Sequence, residues 1–373
     1  MTQEEQIYSL ALTRIPGLGL TGAHNLVDSL ETATAIFQHR KELPQLVPGI
    51  TDKLVKALDC PEAFRRAEQE LLFCEKNHIR CLTLNDENYP ARLRECDDAP
   101  LALFYRGNAD LNTLHIINMV GTRHATLYGQ DICTRFLSDL SELCPDTLIV
   151  SGLAYGIDIH AHRSALQNQF KTIGVLAHGL DRIYPAEHRK TAVSMLEQGG
   201  LLTEFMSGTN PDRQNFIKRN RIVAGMSDAT IVIESAAKGG ALITAELAGS
   251  YHRDCFAFPG RFNDEYSTGC NNLIKKNQAT LITSAKDLVE AMGWDCTDSP
   301  TEKTAVQRQL FPDLSETEGI IVNLLQKAPD GLQINTLVVK ANIPVHQMSA
   351  LLFELEMKGV IRALAGGIYR LIQ

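Results

Sequence analysis

The chain has 373 residues, 44% of them apolar, and a formal net charge of −8. That length suits two or three domains with sizeable cores, and the acidic balance excludes a protein coated in basic surface, so any nucleic-acid contact is confined to a patch or groove. No run approaches the roughly 20 apolar residues of a membrane-spanning helix, and the polar start Met1-Thr-Gln-Glu-Glu-Gln6 reads as neither a secretory signal nor a transit peptide, so no membrane association and a cytoplasmic location are expected.

Residues 1–105 read as an N-terminal helical domain. Arg14-Ile-Pro-Gly-Leu-Gly-Leu-Thr-Gly-Ala-His-Asn-Leu26 has the look of a helix-hairpin-helix (SAM-like) turn, and Leu43-Pro-Gln-Leu-Val-Pro-Gly-Ile50 of a poorer second copy. Such turns either serve structure alone or present N–H groups to a DNA phosphate, and few cations lie near these two.

Residues 106–293 alternate short β-rich runs with amphipathic segments. The strand candidates are His115–Val120, Thr147–Val150, Thr172–Leu176, Leu201–Glu204, Ala229–Glu234, Cys255–Phe258 and Ala279–Ile282. Between them, Ile132, Phe136 and Leu140 mark one face of a helix over Leu127–Leu143. Strands alternating with helices predict an α/β domain with an extended Rossmann-like parallel sheet. The expected ligand edge lies beyond the carboxyl ends of such strands. Four of those ends are turns of glycine and polar residues: Gly121-Thr-Arg123, Ser151-Gly-Leu-Ala-Tyr-Gly-Ile-Asp158, His178-Gly-Leu-Asp181 and Lys238-Gly239-Gly240. Helix-opening turns of this kind offer N–H groups to phosphates, and Asp158 is positioned to cap the helix that follows. No G-x-G-x-x-G links a strand to a helix in this region, and the P-loop is missing, which disfavours a nicotinamide enzyme or an ATP-driven motor. Asp158-Ile-His160-Ala-His162 invites a metal reading. At 3.6 residues per turn, however, the two histidines point opposite ways, and the nine cysteines include no C-x-x-C pair; no metal site is expected.

The segment from Pro211 to Ala224 holds four cations, Arg213, Lys218, Arg219 and Arg221, against the single Asp212. With Asn220 among them, this cluster at the mouth of a parallel sheet reads as a phosphate site. Phe216, and Tyr128 elsewhere, are candidates to stack on bases, Phe216 being equally suited to the core.

Residues 294–313 read as a polar linker, and 314–373 as a separate unit. Ser315 with Glu318 forms a capping box, a short helix follows at Ile334–Ala341, and a third helix, Val345–Lys358, carries Met348, Leu351, Leu352 and Leu355 on one face. A Gly-Gly hairpin closes a winged helix. Its five Lys/Arg against six Asp/Glu over residues 313–373 suit a duplex reader poorly, which favours an interaction module.

In this order, Val120-Gly-Thr-Arg123, Ser151–His162, Gly179-Leu-Asp-Arg-Ile-Tyr-Pro185, Phe216–Gly225, Leu242-Ile-Thr-Ala245, Pro259-Gly260 and Ser267-Thr-Gly-Cys-Asn-Asn-Leu-Ile274 closely resemble the DprA (Smf) family of DNA-processing proteins. The resemblance runs from about Leu10 to Tyr369. It implies a basic pocket for single-stranded DNA, a homodimer, and a mediator that protects incoming DNA in natural transformation and loads the recombinase RecA, with no cofactor and no catalytic residue. It further implies Arg123, Lys171, Arg219 and Arg221 as pocket cations, with Leu273 and Ile274 in the dimer region. Gly121, Thr122, Phe216, Asn220, Gly239 and Gly240 complete the expected DNA site; Arg213 and Lys218 join it on charge alone. Gly121-Thr-Arg123 stands where the family usually has Gly-Ser-Arg, and Gly239-Gly-Ala241 where it has Ser-Gly-Ser.

The alternative is a nucleotide-cleaving enzyme of the lysine-decarboxylase-like Rossmann group, with Glu234 or Glu246 as its acid. The Pro-Gly-Gly-x-Gly-Thr turn of those enzymes is missing here.

Overall fold

The computed structural model describes residues 2–294, 314–328, 331–364 and 367–371. All of the expected linker except Trp294 lies outside them, as does Gly366 of the Gly-Gly turn. The chain divides into two units, Met1–Ser299 and Pro300–Gln373.

The first unit is built on nine strands: β1 (Arg80–Thr83), β2 (Ala102–Gly107), β3 (Ile116–Val120), β4 (Leu148–Ser151), β5 (Thr172–Val175), β6 (Gly199–Thr203), β7 (Ala229–Val232), β8 (Asp254–Ala257) and β9 (Thr280–Leu281). Their spatial order is β1-β2-β6-β5-β4-β3-β7-β8-β9. The run from β6 to β9 is parallel, and β2 and β1 extend it antiparallel. All seven expected strands are present. The chain winds outward from β3 to β6, then returns to place β7 against β3, so the order reverses between β3 and β7. In open α/β sheets a ligand crevice forms at that point, because the loops leave in opposite directions.

Both sheet faces are covered. Helices Leu127–Leu143, Ile157–Gln167 and Ala285–Met292 bury Ile132, Phe136, Leu140, Ile157 and Leu288 on one face. On the other, Arg213–Gly225 and Gly240–Ser250 bury Ile222, Val223, Ala241 and Ala245. Strands covered on both sides are largely apolar, and in β3 all five residues are buried, with Asn118, the one polar side chain, donating to Thr230 Oγ1 (2.8 Å) on β7.

The N-terminal region departs from the expectation of a helical domain through residue 105. Its long helices end at Lys76, and β1 and β2, separated by the short helix Ala91–Arg94, then join the large sheet. Cys81, Ala102 and Phe104 pack into the same core as Leu10, Leu26 and Ile36 of the N-terminal helices. With one core there is no physical boundary at 105. Pro16-Gly17 and Pro48-Gly49 do turn between helices, and both glycines adopt positive φ (79° and 85°), which costs them no steric strain. Gly17-Leu-Gly-Leu-Thr-Gly22 matches the spacing of the dinucleotide fingerprint, but it joins helix Gln3–Leu12 to helix Leu20–Leu30 with no strand before it, so the fingerprint's mechanism does not apply.

Among its described residues the second unit has three helices, Glu316–Gln326, Ile334–Ala341 and Val345–Met357, and a small sheet of β10 (Leu332–Gln333), β12 (Ile368–Leu371) and β11 (Ile361–Leu364) in that order. The expected capping box forms: Ser315 Oγ accepts from Glu318 N and the Glu318 carboxylate from Ser315 N. Met348, Leu352 and Leu355 are buried. The outward residues of the third helix include Val345, Phe353 and Met357. This is a winged helix whose third helix presents apolar side chains, where a duplex reader carries cations.

Candidate nucleic-acid interface

The β3 turn is clamped from two sides. Thr122 N donates to Glu234 O (2.8 Å) beyond β7, and Ile157 N donates to Thr122 O (3.1 Å). Gly121 is required there, since a Cβ would lie 2.4 Å from Ile157 Cγ1 and 2.9 Å from Glu234 O. Thr122 Oγ1 accepts from His124 N, which tightens the turn further. Held in this way, Arg123 projects outward as an exposed side chain, with its guanidinium carbon 5.0 Å from the centre of the Phe216 ring.

Phe216 is the hub of the site. It is half-buried on helix Arg213–Gly225, with Arg219 5.9 Å from its ring centre and Tyr184 edge-on at 6.1 Å. A cation over an aromatic face is held by the ring quadrupole, so Phe216 fixes Arg123 without neutralising it. Arg213 and Lys218 are exposed on the same helix, and Asn220 is half-buried. On the β7 side, Gly239 caps helix Gly240–Ser250 with no side-chain cap; its own N–H donates to Ala236 O (3.1 Å) and Leu242 N to Gly239 O (3.2 Å), which leaves the Gly240 N–H open beside exposed Lys238. The β3 turn and the start of helix Gly240–Ser250 both lie at the carboxyl ends of the parallel strands, where this positive charge gathers.

Three expected cations are placed elsewhere. Arg219 is only 4% exposed; it lies against Gly152, with Nη1 3.9 Å from the Asp158 carboxylate. Burial lowers the Arg219 pKa and raises that of Asp158, each group partly offsetting the other's shift. Arg219 therefore positions Phe216 and the loop after β4, and does not face solvent. Arg221 is engaged by Glu204 and the Asp98 carbonyl, with both carboxylate and guanidinium largely buried. Lys171 precedes β5, at the amino edge of the parallel sheet, opposite the rim. Strand direction decides this, and a run of β-formers does not reveal which edge faces the ligand.

Other expectations also shift. Asp158 does not cap the next helix; its carboxylate accepts from Gly152 N (3.1 Å) and Ala154 N (3.3 Å), folding the loop back on itself. His162 is buried against Thr172 Oγ1 (2.7 Å), while His160 is half-buried. Leu273 is core, 7% exposed, so its side chain is not available to a partner; Ile274 is half-buried against the same core. Tyr128 is exposed, with its hydroxyl on Pro259 O. Of the two acids offered by the enzymatic alternative, Glu246 is exposed on helix Gly240–Ser250, while Glu234 is 2% exposed and receives Thr126 Oγ1 (2.5 Å) and Thr126 N (2.9 Å) on its two oxygens. Sequence reasoning missed Tyr184, 45% exposed at the rim. Its signal was present in Tyr184-Pro185 after the third glycine turn.

The family profile "DNA recombination-mediator protein A" matches residues 80–293, and "DprA winged helix domain" matches 305–367. Protein Smf of Synechocystis is 30% identical over 99% of this chain and 100% of its own length. The X-ray structure of DNA processing protein A from Streptococcus pneumoniae superposes with a TM-score of 0.62 at 31% identity, covering 78% of this chain and 98% of that one. DNA processing protein A from Helicobacter pylori, described for its single-stranded DNA binding mode, gives 0.52 at 30% identity, over 57% of this chain and 95% of its own.

Proposed function

Since the chain belongs to the DNA recombination-mediator protein A (DprA/Smf) family, we propose that it binds single-stranded DNA across the β3–β7 rim and acts as a recombination mediator. The observation that carries this reading is Arg123, exposed yet held over Phe216 beyond the carboxyl end of β3. Phosphates meet Arg123, Lys218, Arg213 and the Gly240 amide, with Gly239 allowing close approach of the strand, while bases stack near Tyr184 and Phe216. Aromatic stacking contributes about 1–3 kcal/mol per base, and neutralised phosphates make affinity fall steeply with salt.

On this reading the protein is a cytoplasmic homodimer without catalytic chemistry. It protects incoming strands during natural transformation and hands them to RecA, a role that rests on family membership. Engagement of both Glu234 oxygens by Thr126 weighs against Glu234 as the acid of a nucleotide-cleaving enzyme.

A salt-titrated gel shift on a single strand and its duplex, with wild type and Arg123→Ala, tests the binding. Preference for the single strand, steep in salt and weakened in the variant, is the expected result. Equal binding to both DNAs, or no change in the variant, rejects the rim as the site.

A further inference from the structure

The N-terminal helices and helix Arg189–Glu197 cover the same face of the sheet, and where they part, over β2 and β6, a cavity of about 310 Å3 opens. Arg106 of β2 and Leu201 of β6 are register partners at its floor. Leu180, Ile183, Val193 and Leu196 supply aliphatic walls. Arg182, also at the cavity, is paired with Asp181 (2.9 Å) and donates to Asn210 Oδ1 (2.8 Å). Arg106 and Arg189 are different: both are exposed, and among the described residues neither has a hydrogen-bond or ion-pair partner. Two uncommitted guanidiniums therefore border an aliphatic hollow.

We propose that this cavity docks a partner protein through an acidic peptide segment bearing aliphatic or aromatic side chains. The apolar side chains enter between Val193 and Leu196, and carboxylates of the segment meet Arg106 and Arg189. Guanidinium forks match carboxylates in geometry as well as charge, and a groove between two helices accepts a short apolar-faced segment. The volume is at the small end of ligand pockets, enough for a few side chains. A nucleic-acid strand fits less well. The only aromatic residue lining the cavity, Phe73, packs into the N-terminal core, whereas base binding relies on a free aromatic face. The proposal is independent of the rim, and either can fail alone.

The test is a random peptide library displayed on phage, panned on the full chain and in parallel on the Arg106→Glu/Arg189→Glu variant. Wild type is expected to enrich peptides that combine Asp or Glu with Leu, Ile or Phe. The leading peptide, measured by fluorescence anisotropy, should bind the double variant roughly tenfold more weakly, the combined loss of two exposed charge contacts. Val193→Asp, at a residue 52% exposed, should weaken it similarly while leaving the unfolding temperature and single-strand binding unchanged. Failure to enrich any such peptide, or equal binding to wild type and both variants, overturns the proposal. So does loss of single-strand binding in the well-folded Arg106→Glu/Arg189→Glu variant, which would assign the cavity to the DNA path.

Discussion

A Cβ placed on Gly152 would sit 1.3 Å from Nη1 of Arg219. The two positions are 67 residues apart in sequence, yet each defines the other, because a buried guanidinium fits only where the backbone carries no side chain. Gly152→Ala should therefore destabilise by about 1–3 kcal/mol through overpacking. In a double-mutant cycle, Arg219→Ala removes the clash, so the added alanine at 152 costs markedly less in that background. Chemical denaturation of the four proteins measures the coupling; strict additivity contradicts the contact.

Arg123 and Lys171 separate the rim from the opposite edge. Arg123→Ala should lower single-strand affinity and reduce the slope of log affinity against log salt by ~0.7, the value for one phosphate contact. Lys171→Ala should leave the affinity within about 0.5 kcal/mol of wild type and the salt slope unchanged, as exposed substitutions away from a site do. A loss at Lys171 comparable to that at Arg123 would place the strand along the sheet's other edge.

Arg221 is structural in this account. Truncating one partner of a buried ion pair leaves the other charge unpaired, so Arg221→Ala should cost roughly 3–5 kcal/mol of stability. Burial already raises the Glu204 pKa, and Arg221 is the larger of the cations that hold it down. Adding Glu204→Gln to Arg221→Ala should recover part of the loss. Single-strand affinity of the folded variant, measured below its melting temperature, should match wild type.

His162 predicts a pH dependence. Burial, reinforced by Arg219 and His188, lowers its pKa to about 3, whereas an unfolded histidine titrates near ~6.5. Between these values the unfolded chain takes up a proton that the folded chain refuses, so the contribution of His162 becomes increasingly destabilising as pH falls below about 6.5. His162→Asn should flatten this dependence by up to about 1.4 kcal/mol per pH unit, one proton's worth. Denaturant midpoints at a series of pH values for both proteins provide the check; parallel curves would mean that His162 is charged in the folded state.

Much of the architecture was legible from residue patterns. Seven strand candidates from His115 to Ile282 were found by their short apolar runs, because strands covered on both faces are mostly apolar. The capping box at Ser315 and Glu318 was equally plain, being a local hydrogen-bond pattern. β1 and β2 were missed because their few residues follow a long amphipathic helix, and their place at the sheet edge depends on pairing with β6, more than ninety residues on.

Sequence by itself determined the element types, the glycine turns and the concentration of cations between Arg213 and Arg221, since these depend on local sterics and charge. Tertiary structure alone decided which cations are usable. Adjacent helical positions point about 100° apart, so within one short run Lys218 reaches solvent, Arg219 is buried beside Asp158, and Arg221 is engaged by Glu204. The direction of β5 likewise placed Lys171 on the edge away from the rim. Burial and strand direction are properties of the assembled sheet, which only the packing of distant segments against one another can set.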